Sequence, residues 1–194
     1  MNPLFTTIFL VFMVLMTVER LWETFFRKRG KRGEIVKKWT FPVLVVIHVI
    51  IGVGTIVEYF LTQRKINFSI TLLGLTMFTL ALIGRNWASN TLGEYHSVHI
   101  EIRDDHHLIR EGPYRYVRHP YYLSVIFEFL GFPLVANAYY SFLISLFVYL
   151  PFLFMRVYFE EKAIVKKFGD EYIRYKSETR GFLPIPIKRS KEIG

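Results

Sequence analysis

The sequence predicts an all-α integral membrane protein with five transmembrane helices and a C-terminal amphipathic helix. Of its 194 residues, 52% are hydrophobic, and they form long uninterrupted runs rather than a periodic pattern. Segments rich in Lys and Arg separate the runs and give the chain its net charge of +9. A nucleic-acid partner is the other common interpretation of such a charge. It is disfavoured, because basic clusters that flank apolar runs are explained by interfacial membrane lipid.

The length predicts one membrane-embedded domain over residues 1–194. Three spans are expected in residues 1–84, and two spans with the C-terminal helix in residues 85–194. The chain has no cysteine, which excludes disulfides, zinc–thiolate sites and cysteine nucleophiles. The N-terminus has neither a basic segment nor a small-residue cleavage site, so we expect a retained span rather than a signal peptide.

Three apolar runs fill the first part of the chain. Leu4–Val18 is uncharged and predicts the first span, with Glu19 and Arg20 near its end, where long side chains can reach water. Thr40–Val57 predicts the second span. Ile66–Gly84 has nineteen uncharged residues, which is just long enough for a third.

The second half begins with a polar region from Arg85 to His119, in which HIEIR alternates apolar and polar residues and predicts a short extended segment. Tyr121–Met155 has 35 residues, too many for one straight crossing. Turn formers near its middle predict a hairpin of two short helices, with a kink possible at Pro151; they are Gly131, Pro133 and Asn137. Beyond Arg156, apolar residues spaced by four, four and three predict the amphipathic helix; they are Ile164, Phe168, Tyr172 and Tyr175.

The basic residues predict the orientation of the five spans. Segment 27–38 has seven Lys and Arg residues, segment 63–65 two, region 85–120 five, turn 133–140 none, and the tail from Arg156 ten. High and low counts alternate, so the positive-inside rule predicts an outside N-terminus and a cytoplasmic C-terminus. Region 85–120 and the tail then share the cytoplasmic side and can build one site.

A segment dense in aromatic and basic residues, Gly112–Tyr122 (GPYRYVRHPYY), leads into the long apolar run. Pro113 and Pro120 favour extended conformations for the residues before them, so His119 is not expected inside a helix, while Pro120 suits a helix's first turn. Arg118 and His119 are therefore predicted at the mouth of a membrane helix, beside its amide dipole. Arginines, a histidine and phenol hydroxyls at a membrane surface indicate a site for a charged small molecule.

Three groups of polar residues fall on the predicted cytoplasmic face. They are Arg118 and His119 with Tyr114, Tyr121 and Tyr122; Arg156 with Glu160 and Glu161; and Arg85, Asn86 and Trp87. Arginine suits a carboxylate or phosphate through its paired donors. Glutamates suit an ammonium group or a ribose diol. A ligand that needs both, together with an aromatic wall, is zwitterionic and nucleoside-like.

The combined motif resembles the isoprenylcysteine carboxyl methyltransferase family in its prokaryotic branch. That family's pattern is G-x-Y-x-x-x-R-H-P-x-Y, then E-E, then F-G-x-x-Y-x-x-Y, with an N-W pair after the third span. Here the matching residues are Gly112, Tyr114, Arg118, His119, Pro120 and Tyr122; Glu160 and Glu161; Phe168, Gly169, Tyr172 and Tyr175; and Asn86 with Trp87. The resemblance covers roughly residues 84–184.

The resemblance implies a methyltransferase that holds S-adenosylmethionine at the cytoplasmic face, between the R-H-P loop and the C-terminal helix. A lipophilic or lipid-linked acceptor would enter sideways between helices. Expected cofactor contacts are Tyr114, His119, Pro120, Tyr122, Glu160 and Tyr172, and expected catalytic residues are Arg118, Glu161 and Arg156, the last holding a substrate carboxylate. Methyl transfer to an acceptor is an in-line displacement and needs orientation more than acid catalysis.

Glu128 departs from the family pattern, which has an aromatic or apolar residue at this depth. A carboxylate inside a span is costly and by default suggests function. We expect it to face a polar acceptor group or act as a base, and count it among the catalytic candidates. The alternative is a purely structural pair with another helix.

Simpler interpretations exist for the other candidates. Arg118 and His119 could bind lipid headgroups, and Glu160 and Glu161 could be first-turn charges at a helix N-terminus. Trp87 suits an interface anchor. No metal site is expected, because the four histidines of residues 96–107 lack a clear i, i+4 pair or carboxylate motif and are interpreted as solvated.

Two other functions remain open from the sequence. An NADPH-dependent membrane reductase of the sterol reductase type is the first, since such enzymes carry a similar R-H-P. A non-enzymatic lipid-binding membrane protein is the second, and it leaves the polar residues unexplained.

Overall fold

The protein is described here by a computed structural model covering residues 2–26, 33–103 and 107–184. Its α-helices are α1 (Pro3–Leu21), α2 (Thr40–Thr62), α3 (Phe68–Leu92), α4 (Pro120–Val135), α5 (Tyr139–Ile144), α6 (Leu150–Phe168) and α7 (Asp170–Glu178). Two short strands are β1 (Glu34–Val36) and β2 (Ile100–Ile102). A π-helical turn, Ser145–Tyr149, joins α5 to α6, so that residues 139–168 form one continuous helix.

Four of these helical segments are long and apolar enough to cross a membrane, and α4 is a shorter apolar helix between them. The predicted fold class, all-α with five apolar helices, is confirmed. Residues next to the helix N-termini determine where several helices begin. The Asn2 and Asn67 side chains accept hydrogen bonds from the first backbone amides of α1 and α3. Pro120 occupies the first turn of α4, with His119 just outside the helix, as predicted.

Three boundaries differ from the prediction. Helix α3 does not end at Gly84 but continues two turns to Leu92, because the charge of Arg85 is compensated by the buried carboxylates of Glu23 and Glu128. The C-terminal amphipathic helix is broken at Gly169, whose φ of 51° stops α6 and lets α7 start in a new direction. In the predicted turn only Asn137 lies between helices, while Gly131 and Pro133 lie inside α4.

Helices α3 and α4 pack closest together. A Cβ added at Gly74 would lie 2.7 Å from the carbonyl oxygen of Gly131 and 2.7 Å from the amide of Val135. Only glycine, which has no Cβ, allows two helix backbones to approach this closely. This close packing of α3 against α4 positions the loop before α4 relative to the end of α3.

The turn between α4 and α5 is held by side chains from other helices. Asn137 receives a hydrogen bond from the Asn67 amide at 2.8 Å and donates to Thr71 Oγ1 at 2.8 Å. Glu58 accepts from the first amides of α5, Tyr140 at 3.0 Å and Ser141 at 2.9 Å. A carboxylate from α2 thus replaces the local cap that α5 lacks.

The extended segment predicted in HIEIR is strand β2, and it pairs antiparallel with β1, Ile35 lying opposite Glu101. Strand β1 was not predicted, because its three residues lie in the basic segment 27–38, which was used only to predict the orientation of the spans. Glu101 accepts hydrogen bonds from the Gly33 amide at 2.5 Å and from Ser97 at 2.7 Å. Burial raises the pKa of Glu101, but these bonds and Arg103 outweigh it and hold that pKa below its ordinary value.

Candidate functional site

The R-H-P loop is fixed by the chain segment that follows α7. The Arg118 amide donates to the Arg180 carbonyl at 2.9 Å, and the His119 amide donates to the Gly181 carbonyl at 3.0 Å. Phe182 then packs against the His119 ring, with the ring centroids 5.6 Å apart and the planes tilted by 33°. The start of α4 and the C-terminal segment therefore meet at one end of the bundle, in agreement with the prediction that region 85–120 and the tail lie on the same side.

Three basic or titratable residues surround the carboxylate of Glu161 at this place, and we call the four residues together the loop cluster: Arg118, His119, Glu161 and Lys176. Glu161 Oε1 lies 2.9 Å from Arg118 Nη2 and 2.9 Å from His119 Nε2. Its Oε2 lies 2.7 Å from Lys176 Nζ. Arg118 also donates to the carbonyls of Lys176, in the last turn of α7, and of Thr179, just past its end. The cluster joins α4, α6 and α7.

Glu160, next to the loop cluster, contacts the first turn of α4. Tyr122 donates to Glu160 Oε2 at 2.5 Å. In the described part of the chain Oε1 of Glu160 has no hydrogen-bond partner. Glu160 and Glu161 lie ten and eleven residues into α6, so the alternative that they are first-turn charges is wrong.

Three tyrosines of the motif form the wall behind this carboxylate pair. Tyr114, Tyr172 and Tyr175 are buried, and the Tyr175 hydroxyl donates to the Tyr114 carbonyl. Burial raises the pKa of all three, that of Tyr175 to about 12. The Glu160 charge further raises the pKa of Tyr114, and the Glu161 charge that of Tyr172. They remain neutral phenols at physiological pH.

Arg156 is placed apart from the loop cluster. Its side chain is buried, 3% exposed, and donates to Thr40 Oγ1 at 3.1 Å and to the Val98 carbonyl at 2.9 Å. Nε has no hydrogen-bond partner, and no carboxylate of the described residues forms an ion pair with it. A buried guanidinium is usually neutralised by an acid. The described residues do not supply that acid to Arg156.

Arg85 and Glu128 lie in a separate ionic cluster between α1, α3 and α4, which we call the inner cluster. Glu128 accepts from Arg20 Nε at 2.7 Å and lies 3.0 Å from Arg85 Nη1. The same Arg85 nitrogen lies 3.1 Å from Glu23, and Arg85 Nη2 pairs with Glu19. Two predictions are corrected: Arg85 does not join the R-H-P group, and Arg20 points inward rather than to water.

The other residues predicted from the sequence are Pro120, Trp87 and the histidines of residues 96–107. Pro120 is buried at the first position of α4, where it starts the helix. Trp87 is 50% exposed on α3. The prediction of solvated histidines is wrong for His96, which is buried with its Nε2 3.9 Å from Glu23. Among residues 2–26, 33–103 and 107–184 no group of three His, Asp or Glu is arranged to hold a metal; His106 lies outside these residues.

Sequence reasoning missed Lys176 and the segment after α7. Lysine on a short, charged helix carries no distinguishing pattern, so Lys176 offers no signal. The segment did carry one, because Gly181 and Phe182 follow directly after the helical pattern and match a turn with an apolar anchor. Thr40, the partner of Arg156, was assigned only as the start of a span.

Comparisons with known proteins point to one family. Residues 72–166 match the sequence profile of the Isoprenylcysteine carboxyl methyltransferase (ICMT) family. The Protein-S-isoprenylcysteine O-methyltransferase of Saccharomyces cerevisiae is 33% identical over 117 residues, covering 59% of this chain and 49% of that enzyme. An uncharacterized protein of Bacillus subtilis, YpbQ, is 30% identical over 125 residues, 64% of this chain and 73% of that protein.

The fold agrees with a solved structure. The eukaryotic intramembrane Ras methyltransferase ICMT (isoprenylcysteine carboxyl methyltransferase) superimposes with a TM-score of 0.63 at 25% identity, covering 75% of this chain and 53% of that one. The matching part spans about half of the length of the yeast protein and of the solved chain. The match to the family profile includes the R-H-P loop and both Glu160 and Glu161.

Proposed function

The chain belongs to the isoprenylcysteine carboxyl methyltransferase family of membrane methyltransferases, and we propose that it transfers a methyl group from S-adenosylmethionine to a lipophilic or lipid-linked acceptor at the cytoplasmic membrane face. The observation that carries this proposal is the buried charge of Arg156. In the described residues its guanidinium donates to a hydroxyl and a carbonyl and forms no ion pair with a carboxylate, so it would bind an anionic group. A carboxylate acceptor fits that requirement.

The loop cluster fits the cofactor. S-adenosylmethionine supplies an electrophilic methyl group on a sulfonium and carries a carboxylate, an ammonium and a ribose diol. Arg118 and His119 would hold its anionic group, and Glu160, with one carboxylate oxygen unpartnered in the described residues, would accept from the diol or the ammonium. Tyr114, Pro120, Tyr122 and Tyr172 would form the wall around it.

The residues of this chain contribute orientation and a dry environment. In-line displacement requires the acceptor oxygen to lie about 3–3.5 Å from the methyl carbon and in line with the bond that breaks. Holding the two groups in this geometry accelerates the reaction strongly. Arg156, rigidly held by Thr40 and Val98, would fix the acceptor carboxylate. Burial of this site excludes water and strengthens the attraction between an anionic acceptor and a sulfonium. Glu128 would act on the acceptor from deeper in the membrane.

Calorimetry in detergent tests the cofactor. We expect the protein to bind S-adenosylhomocysteine and to give no heat with NADPH. Arg118→Ala and His119→Ala should each weaken S-adenosylhomocysteine binding by about tenfold, the loss of one charge-assisted hydrogen bond. Arg174→Ala, an exposed arginine on α7, is the matched control and should bind as the wild type does. Binding of NADPH alone, or unchanged affinity in both loop variants, would contradict the assignment.

A transfer assay with S-farnesylcysteine tests the acceptor side. Arg156→Gln keeps two donors but removes the charge, so the acceptor KM should rise at least tenfold while S-adenosylhomocysteine affinity stays constant. If S-adenosylhomocysteine affinity falls instead, Arg156 belongs to the cofactor side.

A further inference from the structure

We propose that His48 and Tyr149 form a second polar contact for the acceptor, deeper in the membrane than Arg156, which selects acceptors carrying a hydroxyl, carbonyl or amide group on their lipid part. This inference rests on the proposed function, since it concerns the substrate of the same site. Both residues lie in spans, where a hydrogen-bonding ionisable side chain suggests function by default.

The pair is held rigidly against one aromatic ring. His48 Nε2 lies 2.8 Å from the Tyr149 hydroxyl. The His48 ring stacks on Phe129 at 4.1 Å with 22° between the planes, and Tyr149 lies 4.6 Å from the same ring. Arg20 of the inner cluster is 5.6 Å from that ring. The imidazole therefore has a fixed position beside the polar interior of the bundle.

One nitrogen of His48 is left for a ligand. An imidazole has two ring nitrogens, each able to take part in one hydrogen bond. Nε2 contacts Tyr149, and within the described residues Nδ1 has no hydrogen-bond partner. Tyr149 is fully buried, whereas His48 is only half-buried. A group arriving from the membrane meets His48 first.

The surroundings of His48 face lipid. On α2, Val45, Val46 and Val49 are 40%, 56% and 56% exposed, and on the π-helical turn Phe147 is 70% exposed. Helix α2 contacts α5 directly through Glu58. Towards α6 the contacts are made by long side chains, such as that of Trp39, just before α2, whose ring centroid lies 6.2 Å from that of Phe152. The seam between α2 and α6 is a route for a lipid-borne group.

Two polar contacts therefore mark this seam at a defined spacing. Thr40 contacts Arg156 near the start of α2, and His48 contacts Tyr149 eight residues further along the same helix. At 1.5 Å per residue the two contacts are about 12 Å apart. An acceptor whose carboxylate reaches Arg156 would place lipid atoms about 12 Å away beside His48.

The π-helical turn supports a role beyond packing. π-helical turns are rare and frequently occur at functional sites. This one ends at Tyr149, two residues before Pro151, and turns the buried hydroxyl towards α2 while Phe147 faces outward. A hydrocarbon tail alone would leave Nδ1 of His48 without a hydrogen-bond partner among the described residues. The observations favour an acceptor with a second polar group.

Binding of two matched acceptors tests the inference without any turnover. The probes are S-farnesylcysteine and its analogue with one hydroxyl on the tail about 12 Å from the carboxylate. Calorimetry in detergent, without cofactor, should show the wild type binding the hydroxylated probe up to tenfold more tightly, as one hydrogen bond allows. His48→Phe keeps the ring stack and should abolish this preference. His48→Gln, which still hydrogen-bonds, should retain part of it.

Phe147→Leu, on the lipid-facing side of the same turn, is the matched control and should keep the full preference. Equal wild-type affinity for the two probes, no binding of either, or a preference that survives in His48→Phe overturns the inference and makes the pair a structural helix–helix contact. A preference without methyl transfer to either probe contradicts the proposed function alone. Methyl transfer without a preference contradicts this inference alone.

Discussion

At the scale of single residues, Glu128 shows how a charge is kept inside an apolar helix. It is 1% exposed and is held by arginines from two other helices, Arg20 and Arg85. Removing one partner of a buried ion pair is more costly than the pair is worth, because the other charges are left without compensation. The alternative from the sequence, a structural pair with another helix, therefore agrees with the structure, while a role of Glu128 on the acceptor stays a prediction.

We predict that Glu128→Leu lowers the free energy of unfolding in detergent by about 3 kcal/mol, as expected for breaking a buried pair. Glu128→Gln, which keeps the shape, should cost less. In the folded Gln variant the acceptor KM should rise while S-adenosylhomocysteine affinity holds. Thermal unfolding monitored by circular dichroism and transfer kinetics provide the measurements.

Glu19→Gln is the matched control, since Glu19 contacts the same Arg85 from a partly exposed position and should change stability little. Wild-type stability of Glu128→Leu would mean that the inner cluster does not hold α1 to the bundle. Wild-type kinetics of Glu128→Gln with every acceptor would remove Glu128 from the acceptor side.

At the scale of helices, the α3–α4 contact fixes the position of the R-H-P loop. The loop leaves the Gly112–Arg115 turn and enters α4 at Pro120, so any change in how α4 rests on α3 moves it. In a membrane, close packing rather than the hydrophobic effect holds helices together. Gly74 and Gly131, whose backbones approach each other closely, are the points at which this contact is most sensitive.

Gly74→Ala should destabilise the protein by about 1–3 kcal/mol, because the new methyl meets backbone atoms that cannot move aside. It should also weaken S-adenosylhomocysteine binding, as the loop is displaced with α4. Unfolding midpoints in detergent and calorimetry measure the two effects.

Gly52→Ala in α2 is the control, because nothing lies within 4 Å of a Cβ at Gly52. It should be neutral or stabilising by up to about 1 kcal/mol, since alanine favours a helix over glycine. Equal effects of the two substitutions would show that helix propensity, not the close approach, determines the result at Gly74.

At the scale of the whole molecule, the bundle brings the R-H-P loop, Glu160, Glu161 and the segment after α7 to one end. In the sequence, seven basic residues lie in segment 27–38, between α1 and α2, and ten in the tail from Arg156. From these counts the positive-inside rule predicts that the end carrying the R-H-P loop lies in the cytoplasm and that the N-terminus lies outside.

A reporter fused to the C-terminus should accordingly be active in its cytoplasmic form, and one fused to the N-terminus in its external form. A reporter fused within turn 133–140, which has no basic residue, should report the outside and serves as the internal control. An external C-terminus would place the site on the other side of the membrane and refute the cytoplasmic assignment.

The sequence by itself determined the class of fold, the family and the loop at the start of α4. Long uncharged runs predict spans because unpaired backbone groups are too costly in lipid. Pro120 determines where α4 begins, and the motif from Gly112 to Tyr175 is specific enough to indicate the methyltransferase family. These properties are local, since each depends on composition or on residues close in the chain.

Only the tertiary structure decided which charges neutralise which. Arg85 and Arg118 both follow apolar or aromatic segments, yet one pairs with Glu128 and the other with Glu161. Arg20 and Glu128 are 108 positions apart, and Arg156 and Thr40 are 116 apart. Coulomb attraction depends on the distance between the charges in space and on their burial. Neither quantity can be predicted from the positions of residues along the sequence when the residues belong to different helices. Among residues 2–26, 33–103 and 107–184, the packing of the helices brings no carboxylate into an ion pair with Arg156. That its charge holds a substrate stays a prediction.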